Sequence, residues 1–368
     1  MKILIAPDKF KGSLTAAQVC DILSSELARL APDMLIESVP LADGGEGIDD
    51  LLTKQSYGRQ IDAEVFDPLM RPIVSRFGIS KDQKTAFIEM AKASGLQLLD
   101  ADERDCTVTT TYGTGQLIAR ALDLHVNHIV LGIGGSATND AGLGMAEALG
   151  FDLLDKQGNN LKGIGANLIN LEKISTKNRH PRITSTRFTV LCDVDNPLHG
   201  PNGAAYVFAK QKGATVKDVE MLDQGLQNFE RVARAMNFNL DFKSAGAAGG
   251  LGAGAKLFLN AKIRRGIEFV IDFCRLEDKI KNADLIISGE GRIDTQTLSG
   301  KVLHGVATLA KKHDKKLIAV CGQCALTQSQ LSSIGIAKVI SIRTEGISEI
   351  EAINNAGFLL KQRALQIL

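Results

Sequence analysis

Asp284-Leu285-Ile286-Ile287-Ser288-Gly289-Glu290-Gly291-Arg292-Ile293-Asp294 joins a buried-strand pattern to a glycine-rich turn that carries two acids. Val302, Leu303, Val306, Leu309 and Ala310 follow at helical spacing. The chain opens in the same way. Met1-Lys2-Ile3-Leu4-Ile5-Ala6-Pro7-Asp8 is a short apolar run broken by Pro7, and residues 9–13 read as a loop. Thr15 and Gln18 then form a capping box ahead of Val19, Ile22, Leu23, Leu27 and Leu30. Met34–Val39, Leu317–Val320 and Val339–Ile342 continue the alternation as further strands. Strand and helix alternating at both ends predict a parallel sheet covered on both faces.

The middle reads differently. From Val65 to Ala91, strand-like runs are interrupted by Pro68, Pro72, Gly78 and Lys81-Asp82-Gln83, the pattern of an antiparallel meander. A helix-rich stretch over residues 113–149, a strand at Phe188–Cys192 and a glycine-rich segment near Gly246–Gly254 follow. The expected fold class is therefore α/β with two domains. Residues 1–61 plus 274–368 make a discontinuous domain with a parallel, Rossmann- or flavodoxin-like sheet, and residues 62–273 make an inserted mixed α/β domain. A chain of 368 residues is long for one core, which agrees.

Composition narrows the function classes. A net charge of +1 offers no long-range attraction for nucleic acid or an anionic membrane, and the absence of tryptophan argues against base-stacking platforms. No apolar run reaches the ~20 residues that span a bilayer. The first apolar run is too short for a signal peptide, and six scattered cysteines suggest no disulfide framework, so a cytoplasmic location is expected. Cys321-Gly322-Gln323-Cys324 lacks a second ligand pair and reads as two small residues in a strand-to-helix turn.

Four glycine-rich segments carry the chemistry. Glycine lets backbone N–H groups approach an anion, and neighbouring carboxylates can hold Mg²⁺ or take a proton. Lys9 and Lys11 precede a helix N-terminus and form a candidate anion site. Asp43 and Glu46, in Asp43-Gly44-Gly45-Glu46-Gly47, would repel each other without a cation between them, which points to a metal. Gly134, Gly135, Ser136, Thr138 and Asn139 suit a single phosphate or a substrate carboxylate. Gly289, Gly291 and Arg292 are candidates for a further phosphate contact, and the remaining segment is Gly249–Gly254. Asp193 and Asp195 end a strand before Asn196-Pro197 as a catalytic pair would, with an Asx-turn as the rival reading. His199 has no second ligand at metal spacing and reads as a loop histidine. Gly132-x-Gly134-x-x-Ala137, with Asp152 further on, formally matches a dinucleotide fingerprint, but no second strand leads into Asp152.

Taken together, Pro7–Leu14, Ala42–Gly47, Gly134–Gly142, Asp193–Leu198, Gln211-Lys212-Gly213-Ala214 and Gly289–Asp294 resemble the signature blocks of the bacterial glycerate kinase type 1 family, in that family's order and over nearly the whole chain. The resemblance implies ATP-dependent phosphorylation of D-glycerate with Mg²⁺, on two α/β domains with the active site between them. Ile48 and Ala209-Lys210 depart from the family's usual Thr and Gly-Pro. On that footing Asp193 is the expected base, with Asp43 and Asp294 as competitors. Lys9 and Lys11 would stabilise the transferred phosphoryl group. The alternatives are a nicotinamide-dependent hydroxy-acid dehydrogenase, resting on the Gly132–Ala137 match, and a non-catalytic ligand-binding protein.

Overall fold

The computed structural model describes residues 1–42, 45–299, 302–344 and 346–367. The first segment supplies β1 (Lys2–Ile5), α1 (Ala16–Leu30) and β2 (Leu35–Ser38). The interior then runs α2 (Ile48–Gln55), β3 (Arg59–Phe66), β4 (Pro72–Ile79), β5 (Thr85–Glu89), α3 (Ala91–Ser94), α4 (Tyr112–Asp123), β6 (His128–Gly132) and α5 (Leu143–Ala148). It continues through β7 (Asp152–Leu154), β8 (Lys173–Ser175), β9 (Arg187–Leu191), α6 (Val216–Ala235), α7 (Ala247–Leu259) and β10 (Lys262–Arg264). Last come α8 (Gly266–Phe273), α9 (Leu276–Lys281), β11 (Leu285–Ile293), α10 (Val302–Lys312), β12 (Lys316–Cys324), α11 (Gln328–Ser333), β13 (Ile336–Ser341), α12 (Glu349–Asn354) and α13 (Ala356–Arg363).

The chain divides into two compact units, Met1–Asp43 with Ile267–Leu368, and Gly44–Gly266. In the first, a five-stranded sheet runs β13-β12-β11-β1-β2, all parallel. Renumbered along this unit the order is 2-1-3-4-5, the flavodoxin-like winding. β1 lies inside the sheet between β11 and β2, and Ile3, Leu4 and Ile5 are wholly buried, each side chain contributing roughly 1.5–3 kcal/mol. Helix α1 starts where the sequence places it. Thr15 accepts from Gln18 N–H while the Gln18 side chain accepts from Thr15 N–H, and Val19, Cys20, Leu23 and Leu27 turn into the core.

The second unit is built on a six-stranded mixed sheet, β10-β9-β6-β5-β4-β3. β3, β4 and β5 form the antiparallel meander, while β5, β6, β9 and β10 run parallel. The unit boundaries differ from those expected at 61/62 and 273/274. Helix α2 accounts for the first difference, because it rests on β3, β4 and β5 rather than on the parallel sheet. Ile48 and Leu52 are buried there, and Thr53 lies so close to Gly78 that any side chain at that glycine would collide with its hydroxyl.

Two expected loops are strands. β11 continues beyond Ser288 to Ile293 and β12 continues beyond Val320 to Cys324, with Arg292 paired to Gln323 and Ile293 to Cys324. Each extension supplies the other's backbone hydrogen bonds, so their glycines sit in a ladder rather than a turn. Cys321 and Cys324 therefore lie an odd number of residues apart on one strand and point to opposite faces. Cys321 is fully buried, and burial pushes its thiol up, away from the reactive thiolate.

Candidate active site

In the first unit the chain winds one way from β1 to β2 and the other way through β11, β12 and β13. Ligands of open parallel sheets bind beyond the carboxyl ends of the strands at such a switch point. A cleft of about 410 Å³ opens there between the loop after β1 and the end of β11 with the turn that follows it. Asp8, Lys9, Phe10, Lys11 and Ser13 form one wall, and Glu290, Gly291, Arg292, Asp294 and Gln296 form the other. Gly322, Gln323 and Arg343 close it from the ends of β12 and β13. Gly291 permits the close approach of the walls, since a Cβ there would stand 3.0 Å from Lys11 N.

The cleft thus gathers the cations Lys9, Lys11, Arg292 and Arg343 with the acids Asp8, Glu290, Asp294 and Glu349. Asp8 Oδ1 accepts from Lys9 N–H at 2.7 Å, and Glu290 Oε1 accepts from the Thr297 hydroxyl at 2.6 Å. Arg292 Nε lies 3.4 Å from Asp294 Oδ2, and Arg343 donates to Gln323 Oε1 at 3.1 Å. Cations beside carboxylates suit a polyphosphate carried with a hard divalent ion. The structure places Lys9, Lys11, Gly291 and Arg292 together here. Gly289 is not among the lining residues. It lies inside β11, where a Cβ would strike the Val320 carbonyl oxygen.

In the second unit, β5, β6 and β9 end side by side at Glu89, Gly132 and Leu191. Gly134 and Gly135 are exposed just beyond β6, and Gly45 approaches Gly134 closely. Gly47 N–H donates to Glu89 Oε2 at 3.0 Å. Glu89 is buried, and that burial together with the nearby Asp49 raises its pKa to about 7. Lys92 neutralises Asp49 through a 2.6 Å contact. Glu89 is not foreseen from sequence. Its one signal is an acid ending the apolar run Ala86-Phe87-Ile88 at the carboxyl end of a strand.

Of the loop after β6, Gly134 and Gly135 are exposed at the rim and Ser136 is buried next to them. Thr138 and Asn139, expected there as ligand contacts, are instead wholly buried. Thr138 Oγ1 and both side-chain amide atoms of Asn139 have no partner among the described residues. Thr109 Oγ1 holds the Ala137 carbonyl at 2.9 Å, and Asp140 accepts from Thr111 N–H and Oγ1 at 2.8 and 2.7 Å. Gly249–Gly254 is packing rather than a ligand loop. A Cβ at Gly249 would lie 2.1 Å from the Thr138 carbonyl oxygen, so glycine there lets α7 seat against this loop.

Asp193 is exposed at the end of β9, where its Oδ1 accepts from Gly266 N–H at 3.0 Å as α8 begins. His199 bonds Glu230 at 3.0 Å, a structural use in keeping with its loop reading. Glu46 is exposed beside Gly47, whereas Asp43 lies outside the described residues. No group of three or more His, Cys, Asp or Glu side chains forms a metal cage among the described residues. The dinucleotide reading fails on geometry. Helix α5 does not begin until Leu143, and Asp152 sits in the β7–β8 ribbon accepting from Ser175 and Asn178. Among the described residues no helix is long and apolar enough to cross a membrane.

The model of the glycerate kinase family matches residues 3–368. The chain is 46% identical over 324 residues to a glycerate kinase of Haemophilus influenzae, covering 88% of this chain and 86% of that one. It is 43% identical over 346 residues to glycerate 2-kinase of Escherichia coli, covering 94% and 91%. Its structure is similar to the crystal structure of a glycerate kinase 2 from Salmonella typhimurium LT2, with a TM-score of 0.90 at 42% identity over 100% of this chain and 97% of that chain. Sequence and fold agree over their full extent: this chain belongs to the glycerate kinase family and is an enzyme.

Proposed function

We propose that the protein transfers the γ-phosphoryl group of ATP to a hydroxyl of D-glycerate, giving 2- or 3-phosphoglycerate. The observation that carries this reading is the switch-point cleft, where Lys9, Lys11, Arg292 and Arg343 converge with four carboxylates. Phosphoryl transfer is largely positioning and charge stabilisation, and such a set performs both. Lys9 and Lys11 stabilise the transferred group, while Gly291 and Arg292 contact the phosphates. Gly134, Gly135 and Ser136 receive an anionic group of the acceptor, and the Thr138–Asn139 segment supports that loop from beneath.

Asp193 takes the proton from the attacking hydroxyl, its orientation set by the Gly266 N–H. Asp294 and Asp43 are the alternatives for that role. Magnesium, when bound, neutralises charge on the phosphate oxygens. Glu46 and Asp43 are the carboxylates we assign to it, as hard oxygen ligands suited to that ion. We place the reaction in the cytoplasm, supported by six free cysteines. Phosphorus NMR of the product formed from D-glycerate, ATP and Mg²⁺ tests the reaction and identifies the hydroxyl. No phosphomonoester signal with folded protein refutes it.

A further inference from the structure

Lys212 is 2% exposed, yet its ammonium meets only neutral oxygens among the described residues. Nζ donates to Ser136 Oγ at 2.7 Å and to the Thr138 carbonyl at 2.7 Å. Asp140, whose field favours the charge, is occupied by Thr111 and by the Gly142 and Gly144 N–H groups. An ammonium buried without an ion-pair partner is destabilising, and an anion nearby would relieve that strain on the fold. Burial pushes the Lys212 pKa down to about 8, leaving it mostly charged at neutral pH.

Ser136, buried next to the exposed Gly135, carries this charge towards the rim. Its oxygen accepts from Lys212, and its one hydrogen has no acceptor among the described residues. A hydroxyl that accepts from a cation is polarised into a stronger donor. The N–H groups of Gly134 and Gly135, exposed immediately before it, likewise make no hydrogen bond among the described residues. Two amides, one polarised hydroxyl and one cation match the two oxygens and single charge of a carboxylate. A triphosphate asks for more cations, such as the four in the switch-point cleft.

We propose that Lys212, acting through Ser136, makes the residue 134–136 loop a carboxylate receptor and sets the enzyme's preference for a hydroxy acid over a neutral polyol. Lys212 is then a positioning residue, and the inference rests on the reading of D-glycerate as the acceptor. It is tested with Lys212→Met, Ser136→Ala and the double variant. For each, binding of D-glycerate and of its neutral amide is measured by calorimetry without nucleotide, together with KM for both and the Kd for ATP.

Lys212→Met is expected to weaken D-glycerate binding by about 10- to 100-fold, the range for losing a charge-assisted contact, while amide and ATP binding stay within a few-fold. Ser136→Ala should weaken acid binding about tenfold, and the double variant should be no worse than Lys212→Met alone, because both act through one contact. An acid-to-amide ratio unchanged in Lys212→Met, or equal losses for acid and amide, overturns the proposal. If Lys212→Met does not fold, Ser136→Ala decides by the same ratio. A wild-type protein that binds the acid selectively but never phosphorylates it would overturn the kinase reading and leave this one standing.

Discussion

Glu89→Gln should change how stability depends on pH without disturbing the loop that Glu89 holds. Its carboxyl faces Asp49 and Lys92, accepts from Gly47 N–H at 3.0 Å, and has its pKa raised from 4.5 to about 7 by burial and by Asp49. Between those two values the folded chain keeps a proton that the unfolded chain releases. Stability from this group is therefore complete below about pH 4.5 and falls as pH rises towards 7. At 1.36 kcal/mol per pH unit the full loss is about 3 kcal/mol. Glutamine cannot ionise, but its Oε1 can still accept from Gly47 and its Nε2 can donate to Asp49. The variant should match wild type near pH 5 and exceed it by at least about 1 kcal/mol at pH 8. Urea unfolding of both proteins across that range measures the difference, in which the other titrating groups cancel. A difference constant within about 0.5 kcal/mol would mean that Glu89 is ionised throughout, and the buried proton on Glu89 would be refuted.

Asp193→Asn should lower the turnover number by about 10²–10⁴-fold with ATP binding nearly intact, and a variant keeping more than about a tenth of wild-type turnover moves the base to Asp294 or Asp43. Gly135→Val should abolish acceptor binding, because φ is +74° at this rim position and a Cβ would already lie 3.3 Å from the Ala91 methyl. Wild-type Michaelis constants for both substrates in that variant would count against an anion at this turn. Arg292→Met should raise the Kd for ATP about tenfold, the scale of one charge-assisted hydrogen bond, and an unchanged Kd at low salt would remove Arg292 from the phosphate site.

Local chemistry was legible from the start. The capping box at Thr15 and Gln18 needs only neighbours in sequence, as do the apolar run Ile3–Ile5 and the proline-broken meander, and each stands where its pattern puts it. Lys9, Lys11 and Arg292 could be marked as cations near turns for the same reason. Their convergence could not, because it depends on β1 pairing with β11 across more than two-thirds of the chain. Glycine misled where partners were distant. Gly289 and Gly322 read as turns, yet the extended β11 and β12 satisfy each other and make them strand residues. Thr138 and Asn139 looked like loop contacts, and the close seating of α7 buried them.

Glu89 and Lys212 mark the remaining limit. Each is a single charged residue whose surroundings come from elsewhere, Gly47 and Asp49 about forty positions before one, Ser136 seventy-six positions before the other. Periodicity, capping and turn chemistry are properties of adjacent residues, so the amino-acid sequence by itself determined the strands, helices and fold class. Burial and electrostatic field are sums over residues brought together from distant positions, so only the tertiary structure decided which charges lie inside, which face a ligand, and which hold the loops that do.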